Sequence, residues 1–308
     1  MDQTRGTLLL LCSAMVWGMA FAAQTVASDH IGPFSFIAGK AVCATAALGT
    51  VLLVRRRLHP QPSASELAVS SLSGGRKSLF VAGICCGIVL YSADILQQAG
   101  ITAYPPDEAV SGRSGFLTAT YVVMTALMMP LLGKKQHAVV FAAAFLCLVG
   151  LYFLCLANGI QGIYLGDALC LGGAAFYTAH LIFVDRFKRI DSISLTFAQF
   201  LVCAVIAVPV ALVVEHPAPE MFLDSILPVL YVGVVSSGLG YTFQAMGQRH
   251  ADPGVAAIVM SLESVFAALA GCLFLGEVLT ARELLGCVLM FSAVILAQVP
   301  EMQKSSRT

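Results

Sequence analysis

Ten apolar runs of roughly 20 residues, separated by short polar segments, make up almost the whole chain. A run of this length crosses about 30 Å of hydrocarbon as a helix that rises about 1.5 Å per residue. Only 11% of the residues are charged, whereas soluble domains carry about a quarter. We therefore predict an all-α membrane protein with ten transmembrane helices. The predicted spans are 6–27, 33–54, 77–97, 109–131, 137–156, 164–184, 192–214, 225–246, 253–275 and 281–299.

Lysine and arginine residues are concentrated on one side of the predicted membrane. If the N-terminus is cytoplasmic, most of the 17 lie in cytoplasmic segments, including the run from Arg55 to Arg57. Positively charged loops are retained in the cytoplasm during insertion. We therefore expect a multi-pass protein of the cell membrane with both termini in the cytoplasm. The one long connection, 55–76, is polar and rich in Pro, Ser and Gly, and is predicted to be flexible.

The composition disfavours several partners and reactions. The net charge is zero and no basic tract occurs, so nucleic acid is not an expected partner. The 10 cysteines lie in apolar runs without a CxxC or Cys/His cluster, which disfavours a metal site and a disulfide framework. Neither a phosphate-binding loop of the GxxxxGKS type nor an HExxH motif is present. We therefore expect no cofactor and no enzymatic activity.

The sequence contains an internal repeat. An offset of 143 residues aligns spans four and five with spans nine and ten without a gap, and an offset of 160 aligns the start of span one with that of span six. Because each copy holds an odd number of spans, the second copy must enter the membrane from the opposite face. We predict two inverted five-helix repeats, 1–157 and 158–308. Such pairs hold their substrate near the midplane between the copies and work by alternating access.

Short motifs recur at the ends and centres of these spans. They are Trp17-Gly18, Pro33, Gly166-Asp167, Asp252-Pro253, Ser261-Leu262-Glu263 and Leu275-Gly276-Glu277. In these residues the chain resembles the drug/metabolite transporter superfamily, in particular its ten-span branch with two EamA-type repeats. The resemblance implies a proton-coupled or exchange-type carrier of small metabolites, frequently an exporter, whose substrate could be an amino acid, nucleoside, sugar or drug.

The chain departs from this family pattern at three positions. Ser264 stands where the family commonly has proline, Lys134 where it often has a glutamate, and Lys40 where it often has an arginine. The resemblance therefore implies a small-molecule substrate, with protons as a possible coupling ion and the lipid bilayer as the surroundings. It predicts neither the substrate nor the oligomeric state.

Four ionisable residues lie in or at the edge of the apolar spans: Lys40, Asp94, Arg113 and Glu263. A charge inside the bilayer costs about 3 kcal/mol on insertion scales, so it is retained where it pairs or lines a wet cavity. All four fall in the half of the membrane away from the termini, which predicts a polar pit with Lys40 and Glu263 at its floor. They are either structural ion pairs, or Lys40 and Arg113 bind a substrate carboxylate while Asp94 or Glu263 carries a proton.

Uncharged polar and aromatic residues with helical spacing mark the faces of the spans that are predicted to line a central path. They are Tyr91 and Gln98 in span three, Thr118 and Tyr121 in span four, and Tyr241 and Gln244 in span eight. Trp17 lies near the middle of span one, and His180 is the only histidine in the interior of a predicted span. These side chains are expected either to line a substrate or proton pathway or to make hydrogen bonds and packing contacts between helices.

Overall fold

The computed structural model describes residues 2–28, 30–58, 75–105, 110–134, 136–156, 162–275 and 279–305. Within these residues ten helices are long and apolar enough to cross a membrane, and there are no strands. The predicted all-α fold with ten spans is therefore confirmed. Most of the predicted flexible connection, at 59–74, and the predicted helix end at Gly276 and Glu277 lie outside the described residues.

Spans one, two, three, five, six, seven and ten are single helices. They are Asp2–Ser28, Pro33–Leu58, Gly75–Thr102, Ala138–Cys155, Leu165–Arg186, Ser192–Val214 and Ala281–Ser305. Span four is divided into Val110–Ala119 and Tyr121–Leu131, and span nine into Pro253–Met260 and Glu263–Leu275. Span eight follows a short helix, Pro219–Asp224, and consists of Ile226–Leu230, the π-helix Tyr231–Gly240 and Tyr241–Gly247.

Spans four and nine are present as predicted, but each is interrupted, at Thr120 and at Ser261 and Leu262, which the sequence analysis does not predict. Thr120 Oγ1 donates to the carbonyl oxygen of Leu117 at 2.5 Å, and Ser261 Oγ donates to that of Ile258 at 2.7 Å. In both spans a hydroxyl binds the carbonyl three residues earlier and competes with the regular helical ladder. The second break places Glu263 at the start of a new helical segment.

The two halves of the chain pack against each other through matching pairs of spans. Span three packs against spans six and seven, and span eight packs against spans one and two. Span one packs against span nine, and span six against span four, while spans five and ten pack together and so do spans two and seven. A pseudo-two-fold relation between the halves would produce this pattern, although the inverted repeat itself stays a prediction.

Two pairs of glycines bring backbones of the two halves into close approach. A Cβ built on Gly247 of span eight would lie 2.9 Å from the carbonyl oxygen of Gly6 in span one. A Cβ built on Gly166 of span six would lie 2.8 Å from the carbonyl oxygen of Gly100 in span three. Small residues permit such close crossings of membrane helices. Span one is therefore packed tightly against span eight, and span three against span six.

We expect Gly18→Ala to destabilise the protein by about 1 to 3 kcal/mol, because the added methyl group overpacks the contact between spans one and nine. A Cβ on Gly18 would lie 2.5 Å from the carbonyl oxygen of Glu263 and 2.8 Å from the nitrogen of Ala267, two backbone atoms. The measurement is the thermal unfolding midpoint of the protein in detergent. The matched control is Gly115→Ala, since nothing lies within 4 Å of a Cβ there. Equal midpoints for both variants would contradict the close packing.

Candidate functional site

A cavity lies inside the bundle, with walls from spans one, two, three, four, six, eight and nine. Its polar wall residues are Gln24, Lys40, Asp94, Gln97, Thr118, His180, Ser236, Ser237, Gln244 and Glu263. Its aromatic wall residues are Trp17, Phe21, Tyr121, Tyr177 and Tyr241. Among the predicted site residues, Tyr91, Gln98 and Arg113 do not line it, and all the others do. This cavity is the candidate functional site.

The cavity is deeper than the sequence predicts. We call the side at which the odd-numbered spans begin the terminal face, and the opposite side the far face. Gln24 and Gln97 lie near the far-face ends of their helices, whereas Gln244 lies near the terminal-face end of span eight. The predicted floor at Lys40 and Glu263 is therefore wrong. The deeper part includes Gln244, which the sequence does predict as a pathway residue.

Lys40 and Asp94 form an ion pair inside the cavity wall. Lys40 Nζ lies 2.8 Å from Asp94 Oδ2, and the side chains are 7% and 2% exposed. The hydroxyl of Tyr177 donates to Asp94 Oδ1 at 2.8 Å, so both carboxylate oxygens face a positive charge or a donor. An ion pair removed from water survives only when such partners compensate the lost hydration. These two predicted residues therefore neutralise each other.

The polar wall continues from Asp94 to span four through Gln97. Gln97 Nε2 donates to Thr118 Oγ1 at 3.3 Å, and the Tyr177 hydroxyl lies 3.0 Å from Gln97 Oε1. Gln98, which the sequence predicts for this wall, is buried but outside the cavity. Residues three and four positions after Asp94 both satisfy helical spacing, so the pattern does not distinguish Gln97 from Gln98.

Trp17 is held in the wall by the π-helix of span eight. Its Nε1 donates to the carbonyl oxygen of Ser236 at 3.2 Å, and Ser13 Oγ donates to that of Gly240 at 2.9 Å. The ring of Tyr241 lies 4.7 Å from that of Trp17, measured between centroids. A π-helix leaves carbonyl groups outside the regular ladder, and such segments are frequent at functional sites. The sequence does not predict this segment.

Glu263 lines the cavity without a charged partner. Among the residues described, its carboxylate makes no ion pair and no hydrogen bond, although the residue is only 7% exposed. A carboxylate in this position needs a proton, a water molecule or a ligand to compensate its burial. It is therefore the side chain best placed to bind a positively charged group that enters the cavity.

His180 lines the cavity and is hydrogen-bonded to a neighbouring helix. One of its ring nitrogens, Nε2, lies 3.0 Å from Gln199 Oε1 in span seven, and its ring packs edge-on against Tyr241 at 5.7 Å. The hydrogen bond to Gln199 and the ring contact with Tyr241 support the interpretation that His180 packs between helices. Because His180 also lines the cavity, its role in a substrate or proton pathway stays a prediction.

Arg113 belongs to a separate cluster at the far face. Its Nε and Nη2 donate to the two carboxylate oxygens of Asp167 at 2.6 Å each, and Nη2 also donates to the carbonyl oxygen of Gly162 at 2.8 Å. The guanidinium carbon lies 4.7 Å from the Tyr164 ring centroid and 5.7 Å from that of Tyr104. The expectation that Arg113 joins Lys40 and Glu263 in one pit is therefore wrong.

Arg113 was misplaced because its partner, Asp167, was interpreted from the sequence only as part of the Gly166-Asp167 motif. Asp167 opens span six, and the main-chain nitrogen of Tyr164 and the hydroxyl of Tyr104 also donate to it. The signal available in the sequence is that Asp167 is a third acid, after Asp94 and Glu263, that lies inside an apolar run, one turn from its start. We call these five residues, Tyr104, Arg113, Gly162, Tyr164 and Asp167, the far-face cluster.

At the terminal face, other ion pairs join the two halves. Lys134 at the end of span four pairs with Asp185 at the end of span six. Arg55 Nη1 donates to Asp191 Oδ1 at 3.0 Å. Partial burial opposes ionisation of Asp191, but hydrogen bonds from Arg55 and Ser194 outweigh it and lower the pKa of this carboxyl below its ordinary value. Spans four and six are thus tied together at both faces.

Comparison with known proteins assigns the chain to a family. The EamA-like transporter family matches residues 4–156 and 164–298. The chain belongs to the EamA-like transporter family. It is therefore a transporter of the drug/metabolite type, as the resemblance implies, and the ten apolar helices make it a multi-pass membrane protein.

Individual relatives carry names of the same kind. An uncharacterized transporter of Archaeoglobus fulgidus is 27% identical over 291 residues, which cover 93% of this chain and 83% of the relative. The transporter YwfM of Bacillus subtilis is 22% identical over 97% of this chain and 96% of its own length. The threonine/homoserine exporter RhtA of Salmonella typhimurium is 29% identical over 163 residues, which cover 52% of this chain and 55% of the exporter.

A protein of known crystal structure shares the fold. It superposes with a TM-score of 0.75 over 97% of this chain and 99% of its own, at 17% sequence identity. At this identity the likeness concerns the architecture alone. The fold is therefore not peculiar to this sequence.

Proposed function

We propose that the protein is a secondary active transporter that exports a small metabolite, such as an amino acid or a related compound, by alternating access. The observation that carries this proposal is the cavity, which is built from both halves of the chain and lined by Lys40, Asp94 and Glu263 within the membrane. Intramembrane ionisable residues typically mark substrate or proton pathways. The name of the relative RhtA supports amino acids as the first class to test.

Alternating access also accounts for the contacts at the two faces. The far-face cluster and the pair of Lys134 with Asp185 both link span four to span six. A rocking motion of one half against the other must break one of these links while it keeps the other. By the positive-inside rule, the terminal face is cytoplasmic in this proposal.

A second class of substrate fits the same cavity. Trp17, Tyr121, Tyr177 and Tyr241 offer rings on which a planar nucleoside or an amphipathic drug could stack. A multidrug or nucleoside efflux carrier is therefore the alternative within the same family. Substrate competition decides between the two classes, because only one of them should saturate the carrier at low concentration.

In liposomes that contain the purified protein, we expect saturable flux of labelled threonine or homoserine, faster when a pH gradient is imposed. The coupling would be carried by an ionisable group of the cavity that alternates between the two sides. Protein-free liposomes and unlabelled nucleosides as competitors are the controls. If amino acids, nucleosides and cationic drugs all show no flux, with or without a pH gradient, the result would contradict the transporter proposal. It would favour a membrane protein without transport activity.

A further inference from the structure

One carboxylate in the cavity wall, that of Glu263, has no counter-charge among the described residues. Lys40 is matched by Asp94 at 2.8 Å, and Asp94 is also bound by Tyr177. His180 is bound to Gln199. Among the described wall residues, Glu263 therefore remains as the carboxylate without a counter-charge. An ionised Glu263 gives the empty cavity a net negative charge and a preference for positively charged groups.

Aromatic rings surround the same space. The ring centroids of Trp17 and Tyr241 are 4.7 Å apart, and those of Tyr121 and Tyr177 are 6.5 Å apart. The faces of such rings carry negative electrostatic potential and attract ammonium groups, by about 2 kcal/mol when water is excluded. The rings therefore reinforce the preference that Glu263 sets.

Two hydroxyl groups in the wall have no partner among the described residues. They belong to Tyr121, which is 5% exposed, and to Ser237, which is 1% exposed. Buried polar groups are usually hydrogen-bonded, so an unpartnered pair that lines a cavity indicates that a polar ligand or water completes them. This observation is independent of the charge count and also points to a ligand in the cavity.

We propose that the cavity binds the ammonium group of its substrate at Glu263, so that it accepts amines and zwitterions and rejects anions of the same shape. The inference rests on the proposed function and specifies which end of the substrate the cavity recognises. An anion would have to draw Lys40 away from Asp94, which would leave a buried carboxylate without its counter-charge. An ammonium group has no ion pair to break at Glu263, because this side chain makes none among the described residues.

The chain carries its own probe for this test. Trp17 is the only tryptophan of the sequence, and it lines the cavity beside Tyr241. Its fluorescence therefore reports occupancy of the cavity without any measurement of transport. Two ligands of similar shape separate the ammonium from the carboxylate: 1-amino-2-propanol is threonine without its carboxylate, and 2,3-dihydroxybutyrate is threonine with a hydroxyl in place of its ammonium.

Titration of the purified full-length protein at neutral pH should give a saturable change of Trp17 emission with 1-amino-2-propanol and none with 2,3-dihydroxybutyrate over the same range. Glu263→Gln should weaken binding of the amine about 10-fold to 100-fold, because glutamine can still accept a hydrogen bond but lacks the negative charge that pairs with the ammonium. The matched control is Glu283→Gln at the start of span ten, outside the cavity wall, which should bind as the wild type does. Circular dichroism and a monodisperse elution profile verify that each variant is folded.

Equal or tighter binding of 2,3-dihydroxybutyrate, an unchanged emission with the amine, or full affinity in a folded Glu263→Gln variant would each overturn the inference. The liposome experiment separates this failure from that of the proposed function. Flux of anionic substrates would support the proposed transport function but contradict recognition of an ammonium group at Glu263. A saturable change of Trp17 emission with the amine, without flux of any compound, would support recognition of the ammonium group but contradict the proposed transport function.

Discussion

Replacing Asp94 with asparagine is expected to destabilise the folded protein by about 3 to 5 kcal/mol, because the Lys40 ammonium is then buried without its counter-charge. The asparagine oxygen can still accept the hydrogen bond from Tyr177, so the loss reports the charge rather than the whole network. Unfolding of the purified protein in mixed micelles, followed by Trp17 fluorescence, measures the change.

Two variants make this result interpretable. In the double variant Lys40→Met with Asp94→Asn both charges are gone, and most of the stability should return, since removal of a whole buried pair is often neutral. Asp191→Asn breaks the exposed pair with Arg55 and should cost at most about 1 kcal/mol, because asparagine caps a helix as well as aspartate does. A double variant as unstable as Asp94→Asn alone would show that the instability does not come from the uncompensated charge of Lys40.

The spans and the charged part of the site could be predicted from the sequence because both depend on local composition. Runs of apolar residues long enough to cross a bilayer have few alternatives to a helix, since the backbone must satisfy its own hydrogen bonds in lipid. A charge inside such a run is rare, so Lys40, Asp94 and Glu263 were visible without any knowledge of their neighbours. The cavity does bring these three residues together.

Pairing and local irregularity could not be predicted, because they depend on contacts between distant segments. Arg113 lies in an apolar run just as Lys40 does, but Asp167, which is remote in sequence, draws it into the far-face cluster. The π-helix in span eight is held by Ser13 and Trp17 of span one. No periodicity in either segment encodes these contacts, so a sequence read span by span misses them.

We expect Arg113→Gln to have the second large effect, an opening of the bundle at the far face. The guanidinium joins the start of span four to Asp167 in span six through paired donors, and it also binds the carbonyl group of Gly162. Glutamine provides neither the charge nor the forked geometry, and lysine restores only the charge. If alternating access requires this cluster to break, its loss should shift the population towards the state that is open at the far face.

Cys170 can report this shift, because it is fully buried one turn after Asp167 and its Sγ lies beside Gly100, 2.7 Å from a Cβ built there. With Cys170 as the sole cysteine, a membrane-impermeant maleimide added at the far face should label Arg113→Gln at least about 10-fold faster than the parent, as expected when more than about 1.4 kcal/mol of closure is lost. Arg113→Lys should fall between the two. The matched control, Lys134→Gln, weakens the pair with Asp185 at the opposite face and should leave this labelling unchanged or slower. Equal acceleration by both glutamine variants would indicate general loosening of the bundle rather than closure by the far-face cluster.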